Sequence, residues 1–353
     1  MPKEKSQNNE PNGHQRAISL KELAAHLGLS ITALSLVLNN KPGASSIPQE
    51  TKDRIFEAAE KFNYRPNYFA RSLRAQRSFT FGVMVPELSD GYSAMVLNGI
   101  EAALSKEGYF YITASHLHRD DLLKHNPQML IERQVEGIIA VDTPIRFQSE
   151  VPVVTVSGHD EIPGVTNVIL NHQHAAELGM GHLFTLGHRK IAFIKGQDFS
   201  SDTEIRWETI NEAAYRRGIK LENDLIAQLE GDIPSPEIGY VATKKILSKN
   251  KPFTALFAFN DISAIGAIRA VQEVGLRVPE DVSILGFDDV YAAAFHNPAL
   301  TTIRQPLFEM GKLAAQTLLK RLDKKTQNDE IPSILTAEPQ LIVRDSTAPV
   351  RKN

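Results

Sequence analysis

Three arginines, Arg71, Arg74 and Arg77, recur every third residue within the stretch from Asn63 to Arg77. Guanidinium groups at that spacing suit the phosphates of a nucleic-acid backbone. Asn67 can cap a short helix over 68–75, and such a helix is too short and too positive to hold on its own. Phosphates would supply the missing stabilisation, so the segment is expected to fold on DNA. The plainer reading is a charged interdomain linker. The charge balance favours DNA: residues 1–78 carry twelve Lys and Arg against seven Asp and Glu, a net +5, while the rest of the chain stands at −8. A basic head on an acidic body is an electrostatic footprint for nucleic acid at one end.

Residues for other chemistry are missing from the pattern. The absence of cysteine excludes disulfides, cysteine zinc sites, Fe–S clusters and a thiol nucleophile. There is no P-loop, no HExxH and no GxSxG elbow. Gly179-Met180-Gly181, the nearest approach to a dinucleotide fingerprint, lies inside a helical pattern. The eleven histidines show no metal-ligand spacing, and His182 and His188 flank Gly187 without sharing a helix face. No catalytic residue, metal ligand or cofactor is therefore expected, and an enzyme is disfavoured. Hydrophobic residues at 42% and charged residues at 23% are ordinary soluble composition. No apolar run approaches the roughly 18 residues of a membrane span. The polar start, MPKEKSQNNEPNGHQRA, lacks a signal-peptide core, so a cytoplasmic protein is expected.

The elements that must position such residues follow from periodicity. Residues 1–16 read as a disordered tail. Ser19 and Glu22 form a capping box before Leu20, Leu23, Ala24 and Leu27, and Gly28 ends that helix. Ser30 opens a second helix carrying Leu34, Val37 and Leu38 on one face. Pro48 opens a third, with Ile55, Phe56, Ala59 and Phe62 as its buried stripe. Two short helices joined at Gly28-Leu29 make a helix-turn-helix pattern. From Phe79 onward, short apolar strands alternate with amphipathic helices, one of them over about 122–134 despite Pro127. This predicts parallel sheets covered by helices, and the run is long enough for two α/β subdomains. Ligands of such folds bind at the carboxyl ends of strands, between the halves.

The sequence resembles the lac-repressor/galactose-repressor family of bacterial transcriptional regulators from about Ile18 to Thr347. The resemblance rests on Leu20 to Asn39, Asn63-Tyr64-Arg65-Pro66-Asn67, Ala70-Arg71-Ser72-Leu73 and Leu186 to Ile194. It continues through Phe259-Asn260-Asp261, Gly286-Phe287-Asp288-Asp289, Pro298 to Pro306 and Leu341 to Thr347. All of these occur in order, which makes the match specific. It implies an N-terminal all-α helix-turn-helix head and an α/β periplasmic-binding-protein-like core of two doubly wound parallel-sheet subdomains. The expected division is a tail over 1–16, a head over 17–65, a hinge helix or linker over 66–78, a core over 79–347 and a tail over 348–353. Within the core, one subdomain takes about 79–170 and 305–333, the other about 171–304 and 334–347.

The resemblance also implies roles. The second helix enters the major groove with Ile31, Thr32, Ser35 and Leu36 facing DNA, while Ser19, Leu20, Ser30, Asn39 and Tyr64 lie around that interface. Asn67, Ala70, Arg71 and Arg74 accompany Leu73, which wedges into a central base step of the minor groove. Leu36 stands where family members commonly carry a guanine-reading arginine, so the half-site is expected to differ. Three extra residues around Ala44-Ser45-Ser46 lengthen the loop before the third helix. For the effector, the resemblance points to Tyr92, Ser157, Arg206, Ile233, Asn260 and Asp288, with Asp261 as a helix N-cap. Ile233 replaces an aromatic residue of purine-binding relatives, and Ser157 an acid. A sugar or related metabolite fits best, and a phosphorylated sugar could pair with Arg206.

The expectation is therefore a ligand-controlled regulator, most readily a repressor, acting as a homodimer on a pseudo-palindromic operator. The short tail after Thr347 argues for a dimer rather than a tetramer. A solute-binding protein with the same core, or a sugar- or nucleoside-metabolising enzyme, is the alternative. Salt-dependent DNA binding by the head separates the first from a regulator, and turnover of candidate metabolites the second.

Overall fold

The computed structural model of the protein describes residues 18–39, 42–64, 72–73, 76–89, 91–231, 235–323 and 331–351. The tail over 1–16, the hinge positions Asn67, Ala70, Arg71 and Arg74, and Ile233 lie outside the described residues. The chain divides into two compact units, Met1–Arg77 and Ser78–Asn353.

The first unit holds α1 (Leu20–Leu27), α2 (Ile31–Leu38) and α3 (Gln49–Lys61). The Ser19 hydroxyl accepts from the Glu22 N–H at 3.2 Å, and the Glu22 carboxylate accepts from the Ser19 N–H at 2.8 Å, completing the capping box. Gly28 ends α1 in the left-handed region at φ 65°, which a side chain would disfavour. The chain then bends by 109° into α2, a helix-turn-helix angle. Leu23, Ala24, Leu34, Val37, Ile55 and Ala58 close the core. Phe56, expected in the buried stripe of α3, is 50% exposed. Ile55, Ala58 and Phe62 hold the inward face at helical spacing, and Phe56 is turned roughly 100° away from Ile55. The loop around Ala44-Ser45-Ser46 is a 3₁₀ turn over Pro42–Ser46 that buries Ala44, its Ser45 and Ser46 hydroxyls donating to the Pro42 and Gly43 carbonyls.

In chain order the second unit runs β1 (Thr80–Val85), α4 (Gly91–Leu104), β2 (Phe110–Ser115), α5 (Asp120–Glu132), β3 (Ile138–Val141), β4 (Val153–Val156), β5 (Val165–Leu170) and α6 (His172–Thr185). It continues with β6 (Ile191–Lys195), α7 (Asp202–Arg216), β7 (Ile226–Gln228), α8 (Pro236–Leu247), β8 (Ala255–Phe257), α9 (Asp261–Glu273) and β9 (Ser283–Asp288). The last elements are α10 (Tyr291–Phe295), β10 (Thr301–Arg304), α11 (Leu307–Leu322), β11 (Ile334–Ala337) and β12 (Gln340–Ile342).

Two sheets result. The first lobe is built on β11-β5-β4-β3-β1-β2, all parallel, and the second on β12-β10-β9-β8-β6-β7, parallel except for the β10–β12 pair. Strands β1, β3, β4 and β9 are buried along their whole length, as the continuous apolar runs of a parallel sheet covered on both faces should be. Helices α4 and α11 cover the first sheet together. Gly99 and Gly311 let them touch, since a Cβ at either would run into the backbone carbonyl of Phe308 or Val96.

Among the described residues the chain passes between the lobes at 170–172, 304–307 and 337–340. The last passage differs from the sequence expectation, which gave the second lobe everything from 334. Instead β11 pairs with β5, Ile334 opposite Asn167, and the chain crosses only after Ala337. A four-residue edge strand that is partly exposed carries too little pattern to declare its sheet. No single described helix is long and apolar enough to cross a membrane.

Candidate effector cleft and DNA-reading head

The chemistry of the core gathers just past the carboxyl ends of its strands. His116 and His118 follow β2, Asp142 follows β3, Ser157 and His159 follow β4, Phe199 to Asp202 follow β6, and Asp288 ends β9. Four of these non-glycine residues sit at positive φ: His118 at 56°, Asp142 at 39°, Ser157 at 59° and Asp288 at 107°. Left-handed backbone costs an L-residue about 1–2 kcal/mol, a strain that persists where surrounding structure enforces it and that clusters at functional sites.

A cavity of about 290 Å³ opens between the lobes. His116, His118, Asp142, Thr155, His159 and Asn167 line it from the first lobe, and Phe199, Ser200 and Ser201 from the second. Direct bonds join the walls. Asp142 accepts from the Ser201 amide at 3.1 Å and hydroxyl at 2.7 Å. His159 Nε2 lies 2.7 Å from Asp202 Oδ1. The rings of His118 and Phe199 stack.

Beneath these bonds is a buried charge network. Arg206 donates from Nη2 to Asp202 at 2.7 Å and from Nη1 to the Phe259 carbonyl at 2.6 Å. Its guanidinium is held between the Phe259 and Phe287 rings, 4.4 and 3.8 Å from their centroids. Burial alone would raise the Asp202 carboxyl, but the His172 and His159 imidazoles and Arg206 overcome it and hold Asp202 well below the usual carboxylate range. Burial, then the charge of Asp202, pushes Asp142 up to about 6 against its bonds from Ser201. Burial, then Asp202 and Asp142, pushes the Tyr92 phenol up, so it stays protonated. Its hydroxyl lies 2.7 Å from that of Ser157.

His116 is fixed in one tautomer. The Thr143 hydroxyl donates to the Val141 carbonyl at 2.7 Å, so it accepts from His116 Nε2–H at 3.0 Å. That leaves Nδ1 to accept from the His118 N–H at 3.1 Å. Burial, then His118, pushes the imidazole down to about 4. A second proton on Nδ1 would also break the bond to His118.

The structure brings four of the expected effector residues around this network. Tyr92 bonds Ser157, Arg206 bonds Asp202, and the charge of Asp288 acts on the Tyr92 phenol. Asp288 is also tied to the second of the three lobe crossings, its Oδ1 accepting from Gln305 Nε2 at 2.7 Å. Asn260 departs from expectation: its Oδ1 accepts from the Ser263 N–H at 2.9 Å and caps α9. Asp261, expected as that cap, is fully buried instead, with its carboxylate taken by the Thr302 hydroxyl and the Val290 N–H. None of Tyr92, Ser157, Arg206, Asn260 and Asp288 lines the open cavity. Its walls are residues the sequence reading passed over, Asp142, His159 and Phe199 among them. The signal of those three was position, one to four residues past a strand end, where ligand sites of doubly wound folds lie.

In the head, Ile31 is 40% exposed and Thr32 is exposed, whereas Ser35 is half-buried. Leu20, Leu36 and Tyr64 are half-buried against the head core, so only part of each is free for DNA. Leu36 lies over Gly43, which has no side chain to displace it. Ser19 and Ser30 spend their hydroxyls as helix caps. Asn39 is exposed, its amide donating to the Ser35 carbonyl at 2.8 Å. Leu73 is 80% exposed.

Comparison with known proteins decides the family. The profile of bacterial regulatory proteins of the lacI family matches residues 19–67, and that of the periplasmic binding protein-like domain matches 180–347. The HTH-type transcriptional repressor PurR of Aliivibrio salmonicida is 31% identical over 336 residues, covering 93% of this chain and 98% of that one. The chain belongs to the lacI family of bacterial regulatory proteins. The PurR repressor of Haemophilus influenzae is 31% identical over 338 residues, with the same coverage. Among solved structures, the lac repressor dimer bound to operator and the anti-inducer ONPF superposes with a TM-score of 0.80 at 25% identity, over 94% of this chain and all of that one. The CelR–cellobiose complex gives 0.69 at 25% identity, over 93% and 99%. As a lacI-family member the chain is a DNA-binding transcriptional repressor governed by a small molecule, in a family that uses effectors rather than catalytic cofactors.

Proposed function

We propose that this repressor binds a pseudo-palindromic operator as a homodimer and that its cleft takes a neutral sugar or sugar derivative. The observation that carries the effector reading is the charge of the cavity wall. Among the described residues, Asp120, Asp142, Asp160 and Asp198 line it against Arg146 alone of the lysines and arginines. An anionic ligand is disfavoured there. Arg206, the group a phosphate would seek, already has Asp202 and the Phe259 carbonyl on its two terminal nitrogens. Hydroxyl groups suit carboxylate, serine, threonine and asparagine partners, and a sugar's apolar face suits the His118–Phe199 pair. A volume of about 290 Å³ suits a small metabolite.

One head reads only a half-site, so two are needed for a specific operator. Binding in the cleft favours the closed arrangement of the lobes, and closure changes the start of the core at Thr80, where the hinge segment enters. On this reading the head runs over 17–65, the hinge over 66–78 and the core from 79. Within the hinge, Asn67, Ala70, Arg71 and Arg74 accompany Leu73 in the minor groove, and in the head Ile31, Thr32, Ser35 and Leu36 face the major groove.

The test is selection of bound sites from a random duplex pool by full-length protein, alone and with pooled sugars or pooled purines. A palindrome whose recovery changes with sugars supports the reading. A response to purines alone replaces the sugar with a planar base held at the His118–Phe199 pair. Recovery of no motif under any condition overturns the operator assignment.

A further inference from the structure

The cleft also holds a set of groups that belongs to neither lobe alone. His159 follows β4 in the first lobe, while His172 and Asp202 open α6 and α7 in the second. Asp202 Oδ1 lies 2.7 Å from His159 Nε2 and 3.3 Å from His172 Nε2, and one ligand atom from each residue falls within 4.8 Å of the others. His172 is 4% exposed, yet among the described residues neither of its ring nitrogens has a hydrogen-bond partner: the approach of Nε2 to Asp202 is off the hydrogen-bonding direction. A buried imidazole left in that state calls for an explanation.

We propose that His159, His172 and Asp202 form a binding site for a divalent transition-metal ion, zinc above all, that fastens the two lobes together. Two imidazoles and a carboxylate are an established zinc set that leaves a fourth position open. A tetrahedral ion with ligands at about 2.0–2.2 Å separates its ligand atoms by roughly 3.3 Å. The His172–Asp202 distance already has that value, and the His159–Asp202 pair must open by only about 0.6 Å from its hydrogen-bonded distance. Each imidazole presents its Nε2 lone pair by carrying its proton on Nδ1. Asp202 can serve because Arg206 occupies its other oxygen, Oδ2. The Arg206 charge opposes a dication, and the nearby Asp142 carboxylate favours it. His159 lines the cavity, so the ion enters from there and water completes its shell. The three ligands come from separate elements, which is why no spacing in the sequence announces them.

The test uses full-length protein and zinc or cobalt chloride. Competition against a chromophoric chelator should show one tight equivalent, and cobalt should give the intense visible bands of a tetrahedral site. His159→Gln and His172→Gln should each weaken binding at least about 100-fold, more than loss of an outer-sphere partner costs. His174→Gln, on the exposed ring paired with Glu338, should change nothing. Zinc should raise the melting temperature of the parent and not of His159→Gln. If His172→Gln fails to fold, the partly exposed His159 carries the test alone. No tight equivalent, or one unchanged in His159→Gln, overturns the site. Binding without a rise in melting temperature overturns the fastening. None of these readouts uses DNA or sugar, so failure here leaves the effector reading intact.

Discussion

The imidazole of His118 lies on the ring of Phe199, centroids 3.8 Å apart and planes 29° from parallel. One ring comes from each lobe, so the contact bridges the cleft and any separation of its walls breaks it. His118 cannot drift from it easily, because its N–H is bonded to His116 and its own backbone is held at positive φ. On the proposed closing motion of the lobes the pair acts as a latch at the cavity wall, its strength adding to the closed state alone.

Phe199→Ala should therefore weaken closure without touching the head. An aromatic pair contributes about 0.5–1.5 kcal/mol beyond its area, which corresponds to roughly a 2- to 12-fold higher sugar concentration at the midpoint of the response. Operator affinity without sugar should be unchanged. Fluorescence anisotropy of labelled operator, titrated with the sugar that the selection identifies, measures both. An unmoved midpoint would remove the latch from the mechanism.

His116 sets an acid limit on the same wall. Its imidazole is pushed down to about 4, chiefly by burial, from an unfolded value of about 6.5. A depressed value favours the neutral form in the fold, so the stabilisation is complete above about 6.5 and is lost as pH falls towards 4. The loss amounts to about 2–3 kcal/mol at pH 4.5. Urea unfolding of the parent and of His116→Gln at pH 7 and pH 4.5 separates this from other titrations. The variant should be weaker at pH 7 and should lose less on acidification. Equal losses in both proteins would exclude His116 as the group responsible.

Much of this arrangement is legible in the sequence, for physical reasons that also mark where legibility stops. The capping box of Ser19 and Glu22 and the stop at Gly28 are local hydrogen-bond and backbone effects, written in adjacent residues. The long helices of the core announce themselves by period, and its central strands by short continuous apolar runs. Strands β7, β11 and β12 have three or four residues, and a period of two cannot be read over so few. Helix α11 carries Leu307, Met310, Ala314 and Leu318 at helical spacing, so its period is legible in the sequence. Tyr92, Arg206 and Asp288 were found through family motifs, whereas Asp142, His159 and Asp202 converge from three separate chain segments. Asn260 and Asp261 exchanged roles because either can cap a helix, and only burial behind Thr302 and Val290 distinguishes them.

Asp288 links the cleft to a lobe crossing. Its carboxylate accepts from Gln305 at 2.7 Å, and Gln305 lies where the chain returns to the first lobe. Asp288→Ala removes a buried acceptor and leaves the Gln305 amide unpaired, at about 1–3 kcal/mol. The operator complex without sugar should survive, while the sugar-dependent change in DNA affinity should disappear. Full sugar control in a folded Asp288→Ala protein, checked by circular dichroism and anisotropy, would show that Asp288 plays no part in the response.

Leu73 offers the sharpest test of the hinge. It is 80% exposed, and water is a poor environment for a leucine side chain. A base step of the minor groove would bury it and be partly unstacked in exchange. Leu73→Ala deletes the wedge and leaves the phosphate contacts, so non-specific binding and its salt dependence should persist. Specific affinity should fall by about 1–3 kcal/mol, roughly 5- to 150-fold, the value of burying one leucine. The decisive comparison is the ratio of affinities for the selected palindrome and for random duplex, measured at one salt concentration. A ratio preserved in Leu73→Ala would place the leucine outside the groove and return the segment to the role of a charged linker.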